Sequence, residues 1–362
     1  MAMLTRTFTL RFATPAFLGN AEQQAQWRTP PIKALIRQWW RVVKAPELGR
    51  SVGALRRAEA ELFGIAADDG PNGSMQSKLR IRLDSWADGK LRQWPAGEPR
   101  EFHPEVGRPV GSDLYLGYGP LDYDKAAKQV RLGTAKSSGK ERTAIDDRVQ
   151  AELRLRLPAA AAREIDSALE LAHWFGTLGS RSRNAWGSLE LERKDGPTLP
   201  SLNAAALAPY LRPLHQCLDL DWPHAIGSDG RPLVWTTPER ATWREAMRDL
   251  ARIKIVFRTQ AAPFPDTRPG GLESRHLMGY PVTNHEVALE GWGRNARWPN
   301  QLRFKLQRVA GNNLRGVIVH LPCRLPPRLA EAVRDRIPDQ LTLWQAVHRV
   351  LDEPKNLSTR LG

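Results

Sequence analysis

The chain has 362 residues, 41% of them hydrophobic, with 54 Lys and Arg against 39 Asp and Glu, a net charge of +15. That length carries two domains with cores of their own, and the charge points to a polyanionic partner, nucleic acid before an anionic membrane. No apolar run approaches the roughly 18 residues that span a bilayer, the N-terminus has no signal-peptide core, and Cys217 and Cys323 lack metal-ligand spacing. A cytoplasmic protein with no metal, no cofactor and no membrane partner is the expectation.

Residues 4–14 read as a strand, with Phe8, Leu10 and Phe12 on one face and Thr7, Thr9 and Arg11 on the other. A helix follows over residues 28–44. Thr29 is its expected N-cap, with proline at the first helical position. At 100° per residue, Ile32, Leu35, Ile36, Trp39, Val42 and Val43 fall in an arc of about 120°, while Lys33, Arg37, Arg41 and Lys44 fall in a separate arc of about 80°. One face suits a core and the other an anion. Trp40, beside the basic arc, is a base platform or core filler, the second being the commoner use of a tryptophan.

A second helix is expected over 53–63, ended by Gly64, then a loop at 68–73. From Lys78 to Asp84 the residues alternate strictly, so Leu79, Ile81 and Leu83 face a core and Lys78, Arg80 and Arg82 form a basic row, either solvated or anion-binding. Residues 87–145 are irregular and rich in Gly, Pro, Lys and Ser, which fits a mobile, basic loop or hairpin inserted into the domain. A strand at 149–157 sets Glu152, Arg154 and Arg156 opposite its apolar side. A helix at 160–175 and a strand at 188–192 complete the half. The order is that of a split βαβ, ferredoxin-like domain, α+β in class, with helices on one face of four antiparallel strands. Its other face is left open, as in many small RNA-binding domains.

Residues 196–235 read as a connector. Thr237-Pro238-Glu239 is the expected start of a helix carrying Trp243, Met247, Leu250 and Ile253. After a Pro- and Gly-rich stretch over 261–300, with Trp292 and Trp298 amid Arg294 and Arg297, a hairpin joins 302–309 to 316–321, and a helix spans 339–351. The division is therefore 1–195, a connector, and 236–362 as a degenerate copy of the first domain.

The densest chemistry lies at residues 176–187. Gly176, Gly179 and Gly187 let backbone approach a ligand, Arg181 and Arg183 bring charge, and Asn184 and Trp186 add a hydrogen-bonding and a stacking group. No Gly-Lys-Ser/Thr follows and the loop precedes a strand, so it is not a nucleotide-binding P-loop. The sequence holds no Cys-x-x-Cys metal pattern. His173 reads as structural. His276 and His285, flanking a loop, are the candidates for acid–base cleavage of RNA, and Asp113, Asp122 and Asp124 have weaker claims.

Three stretches together resemble a known family. The first strand with Arg28-Thr-Pro-Pro-Ile-Lys-Ala-Leu-Ile-Arg-Gln-Trp-Trp-Arg41, then Glu61-Leu-Phe-Gly followed by Gln76-Ser-Lys-Leu-Arg-Ile-Arg82, then Gly179-Ser-Arg-Ser-Arg-Asn-Ala-Trp-Gly-Ser-Leu189 are similar to the RAMP proteins of CRISPR systems. Order and wording come nearest to the first subunit of the Cmr (type III-B) effector complex, and the C-terminal hairpin looks like that subunit's second domain. The family often has Gly where this chain has Ala34 and Ala185. The resemblance implies two ferredoxin-like RAMP domains in a multisubunit complex that carries a CRISPR guide RNA and recognises target RNA, near the guide's 3′ end, with cleavage done by other subunits.

The partners expected are guide RNA, target RNA and other RAMP subunits. The residues expected at RNA are Arg28, Lys33, Arg37, Trp40, Arg41, Lys44, Lys78, Arg80, Arg82, Gly179, Arg181, Arg183, Asn184 and Trp186, binding backbone without catalysis. The rival readings are a metal-independent endoribonuclease and a structural subunit that meets only acidic protein neighbours.

Overall fold

The computed structural model describes residues 2–66, 73–136, 138–260, 271–282, 285–293, 295–333 and 339–362. The loop expected at 68–73 lies outside them except for Gly73, as does Arg294. In chain order the elements are β1 (Met3–Phe12), α1 (Thr29–Lys44), α2 (Val52–Phe63), β2 (Arg80–Leu83), β3 (Arg100–His103), β4 (Arg108–Gly111), α3 (Ser112–Gly117), β5 (Leu121–Asp124), β6 (Gln129–Leu132), β7 (Gln150–Pro158), α4 (Ala162–Phe175) and β8 (Leu189–Arg193). Then come α5 (Ala204–Leu207), β9 (Leu211–Pro213), α6 (Leu214–Cys217), β10 (Ile226–Ser228), β11 (Val234–Thr236), α7 (Trp243–Gln260), α8 (Ser274–Met278), β12 (Leu302–Arg308), β13 (Leu314–His320), α9 (Pro327–Ala330), α10 (Gln340–Asp352) and β14 (Thr359–Arg360). Helices and strands mix throughout, so the class is α+β.

Two units share these elements. The first comprises Met1–Glu98, Leu116–Leu202 and Lys305–Arg308; the second comprises Pro99–Tyr115, Asn203–Phe304 and Val309–Gly362. The sheet of the first unit has the order β2-β7-β1-β8 with antiparallel neighbours. Period-two patterning becomes register here: Phe8 pairs with Leu153 and Leu10 with Ala151 and Leu191, all buried. That face carries α1 and α4. The rings of Trp39 and Phe175 lie 5.6 Å apart, and Arg6, on the same strand face as Phe8, donates to Asp166 of α4 at 3.0 Å. The amine of Lys305, fully buried, closes the last turn of α4 by donating to the carbonyls of His173 and, at 2.5 Å, Leu189.

The second unit's sheet has the order β12-β13-β11-β14. Numbered by chain order within each four-stranded sheet, both read 2-3-1-4, and in both, helices separate the first strand from the second and the third from the fourth. No residue-level repeat announces this, because the equivalence lies in pairing order rather than in side chains. Trp235, Leu250, Phe257, Val317, Trp344 and Val347 are all buried in this half.

The structure differs from the sequence reading at several points. The N-cap of α1 is Arg28, in extended conformation, and Thr29 is already helical with no side-chain cap bond. Thr237 does not start a helix: its N–H bonds the Gly316 carbonyl and its hydroxyl accepts from the Gly316 N–H at 2.7 Å, which continues the strand. The start of α7 is set instead by Thr242 and Glu245. Glu245 N–H donates to the Thr242 hydroxyl at 3.3 Å and Thr242 N–H to the Glu245 carboxylate at 3.0 Å, a reciprocal cap. The 87–145 insertion is ordered into two hairpins, β3–β4 and β5–β6, around α3, and residues 99–115 group with the second unit. The stretch read as a connector holds α5, α6, β9 and β10. Both cysteines are free and buried. Among the described residues no helix is long and apolar enough to cross a membrane, and no cluster of three metal-ligating side chains occurs.

Candidate nucleic-acid interface

The basic arc of α1 exists, but its charges are engaged inside the protein. The carboxylate of Glu59, from α2, accepts from Arg41 Nη2 at 2.7 Å and from Arg37. Burial pushes this carboxyl up, and the bonds and charges of Arg41 and Arg37 outweigh it and hold it below its ordinary value. Lys33 donates to the Phe63 carbonyl at 2.8 Å, closing the end of α2; burial and the adjacent Arg37 lower its amine. Lys44 bonds Glu47 at 2.7 Å and pairs with Glu164 at 3.1 Å. The anion that this face awaited is supplied by α2, α4 and the turn after α1.

Trp40 corrects the stacking expectation. It is 1% exposed and meets Phe63 edge-on at 5.4 Å. The position beside the basic arc faces α2, which a helical wheel of α1 alone does not show. Trp186 is likewise buried, at 0%, with Phe17 at 5.3 Å and Trp94 at 5.4 Å. Neither indole can receive a base in this fold.

The glycine loop is also built on its own protein. A Cβ on Gly187 would lie 2.0 Å from the Leu178 carbonyl oxygen and one on Gly179 2.6 Å from that of Phe17, and both residues have positive φ. These glycines let the loop pack closely against the carbonyls of Leu178 and Phe17. Asn184, buried, donates to the Leu116 carbonyl at 2.8 Å, and exposed Arg181 donates to the Tyr118 carbonyl at 2.6 Å. Ala185 holds φ +69°, a left-handed conformation at a position where the resembled family often has Gly. Arg183 is half-buried.

Two open places lie beside residues expected at RNA. The first is a cleft of about 460 Å³ where the loop 17–25, the start of α1, residues 142–143 and Gly179-Ser180 converge. Arg28, donating to the Gly19 carbonyl at 3.0 Å, and Arg142, donating to the Gln23 side chain, bring charge to it. The second is the uncovered face of the first sheet. Arg80 and Arg82 are exposed there, and their cross-strand partners are Arg156 and Arg154. Lys78 is exposed just before the strand begins. Among the described residues, the side chains of Lys78, Arg80, Arg82 and Arg156 have no hydrogen-bond or ion-pair partner; Arg154 pairs with Glu152 at 2.6 Å.

The residue-by-residue reading missed Arg142, Arg154, Arg156 and Trp86 as interface candidates. Arg154 and Arg156 were visible by alternation. Trp86, 55% exposed, lies three residues beyond the end of β2. Arg142 had no sequence signal, because only the fold brings the insertion to the cleft.

The candidate catalytic groups are engaged with neighbouring groups of the protein. His276 accepts from Glu273 N–H at 2.8 Å on Nδ1 and contacts the His285 carbonyl at 3.0 Å on Nε2, so neither ring nitrogen is available. His285 bonds Glu273 at 3.0 Å. His173 accepts from Leu191 N–H at 3.2 Å, and burial drives it down to about 3. Asp113 is fully buried against Arg244 at 2.9 Å, and Asp124 accepts from Ala126 and Ala127 N–H.

The chain combines two four-stranded sheets of identical strand order with a cationic open face on the first. Its fold is shared with a chain in the cryo-EM structure of the type III-B Cmr-beta complex bound to cognate target RNA and AMPPnP in the presence of ssDNA: 11% identity, TM-score 0.51, covering 96% of this chain and 99% of that one. The crystal structure of Cmr1 from Pyrococcus furiosus, in the apo form, is also similar, with 15% identity, TM-score 0.45, and 96% and 97% of the two chains covered. The Cmr complex is the one whose first subunit the sequence motifs resemble. No protein-family model and no curated protein sequence matches the chain.

Proposed function

We propose that this protein is a non-catalytic, guide-RNA-binding subunit of a type III CRISPR effector complex, cytoplasmic, built from two ferredoxin-like RAMP domains. It caps near the 3′ end of the guide and helps hold the guide–target duplex. Its partners are the guide RNA, the target RNA and other RAMP subunits. The observation that carries this reading is the fold shared over nearly the whole length with a chain of a complex bound to target RNA. The repeated 2-3-1-4 strand order supports two domains of one kind, about 1–195 and 236–362 on either side of a connector. The +15 charge supports an RNA partner, and the engaged ring nitrogens of His276 support a role without catalysis.

The cleft at the start of α1 is where this reading places backbone contacts, with Arg28 and Arg142 at its edges. Reconstitution tests the whole. The chain is co-expressed with the other subunits and a guide, and the purified assembly is analysed for RNA and for ultraviolet cross-links to this chain. Cross-linking to the guide's 3′ segment is expected. Assembly with no cross-link to RNA makes the chain a structural subunit, and cleavage of labelled RNA by the purified chain in EDTA makes it a nuclease.

A further inference from the structure

The uncovered face of the first sheet carries an arrangement that serves no purpose inside the fold. On β2 and β7, Arg80 stands directly opposite Arg156 and Arg82 directly opposite Arg154. Like charges directly opposed across strands destabilise a sheet, and only Arg154 has a carboxylate beside it. On the next strand the positions opposite Arg156 and Arg154 are Thr5 and Thr7, which bring hydroxyls and no negative charge. Charges two residues apart on a strand sit about 6.7 Å apart, a spacing close to that of successive phosphates in an extended single strand. Three residues beyond β2, Trp86 is 55% exposed, whereas Trp40 and Trp186, the tryptophans expected at RNA from sequence, are buried. Evenly spaced cations and an exposed indole a few residues further along the chain are the parts of a single-strand site: charge for the backbone, a ring for a base.

We propose that the arginine ladder Arg80–Arg156 and Arg82–Arg154 binds the backbone of a single-stranded RNA segment across the open sheet face, and that Trp86 stacks on one of its bases. The proposal rests on reading the chain as an RNA-contacting subunit and adds where single-stranded RNA runs and which aromatic it meets. An acidic protein surface would satisfy the arginines but gives no reason for register-matched pairs leading to an exposed indole.

The test uses the full chain and fluorescence anisotropy with a labelled oligouridine and a duplex RNA of equal length, over a range of salt. Wild-type chain that binds neither RNA overturns the functional reading. If it binds, Arg82→Gln and Arg156→Gln are each expected to weaken oligouridine binding and to lower the salt slope by about 0.7. Trp86→Ala is expected to weaken it on the order of 10-fold to 100-fold with the slope unchanged. Melting temperatures of the arginine variants at or above wild type, from relief of like-charge opposition, confirm that the losses are not unfolding. Wild-type affinity and slope in all three variants overturn the ladder and leave the functional reading standing. So does loss of co-purification with neighbouring subunits while RNA affinity is kept, which makes the face a protein dock.

Discussion

Arg41 and Glu59 join α1 to α2, with Nη2 donating to Oε1 at 2.7 Å, and the same carboxylate holds Arg37. Glu59 is 5% exposed, whereas the two arginine side chains are about two-fifths exposed. Removing the acid leaves two guanidiniums facing each other without a counter-charge. Glu59→Gln is expected to cost about 1–3 kcal/mol, less than a wholly buried pair because water reaches the arginines. Urea unfolding measures it, and a midpoint equal to wild type would mean the pair holds nothing together.

Trp40 is expected to act on stability and not on RNA. Trp40→Ala removes a buried ring packed on Phe63 and costs about 3–5 kcal/mol, while Trp40→Phe retains most of the packing. RNA affinity per folded molecule stays at the wild-type value in Trp40→Phe. A Phe variant with normal melting and weakened RNA binding contradicts the buried position.

Gly187→Ala separates a packing role from a ligand role. The new Cβ meets the Leu178 carbonyl oxygen at 2.0 Å and φ is +63°, so backbone must move. The expected loss exceeds the roughly 1–2 kcal/mol of left-handed strain alone. Differential scanning calorimetry reads the drop with no RNA present. A variant that melts normally and fails only in RNA binding would restore the loop to the ligand.

Acid is expected to destabilise the second unit before carboxylates protonate. His320 and His348 are buried and paired at 3.0 Å; burial drives His348 to about 3 and His320 well below its ordinary value. The unfolded chain takes up protons on these imidazoles near pH 6.5 and the folded chain does not, so stability is full above pH 6.5 and falls as pH drops toward 3. Denaturant midpoints at pH 7.5 and pH 5 are expected to differ in that direction. The difference shrinks in His348→Phe, and equal midpoints in the wild type would show that the pair is not neutral and buried.

Much of the local structure was legible. Strict alternation placed β1, β2 and β7, and the 3.6-residue periods placed α1, α4 and α10 within a few residues, because these patterns record which side of an element meets a core. The α+β class and the likeness to the Cmr subunit came from the same stretches. The site was less legible. Lys33, Arg37, Arg41 and Lys44 leave α1 on one face, whereas Trp40, read as lying away from the core stripe, is buried along with it.

What the sequence determined by itself is direction around each axis: which residues leave α1 or β2 together. What only the tertiary structure decided is what stands there. Glu59 arrives from a second helix to take the arginines of α1, Phe63 covers Trp40, and strand pairing sets Arg80 against Arg156 and Arg82 against Arg154. A period is a property of one segment, whereas charge compensation and burial depend on a second segment brought close by folding. For that reason the basic arc of α1 proved internal, and on the open sheet the side chains of Arg80, Arg82 and Arg156 stand without a counter-charge among the described residues.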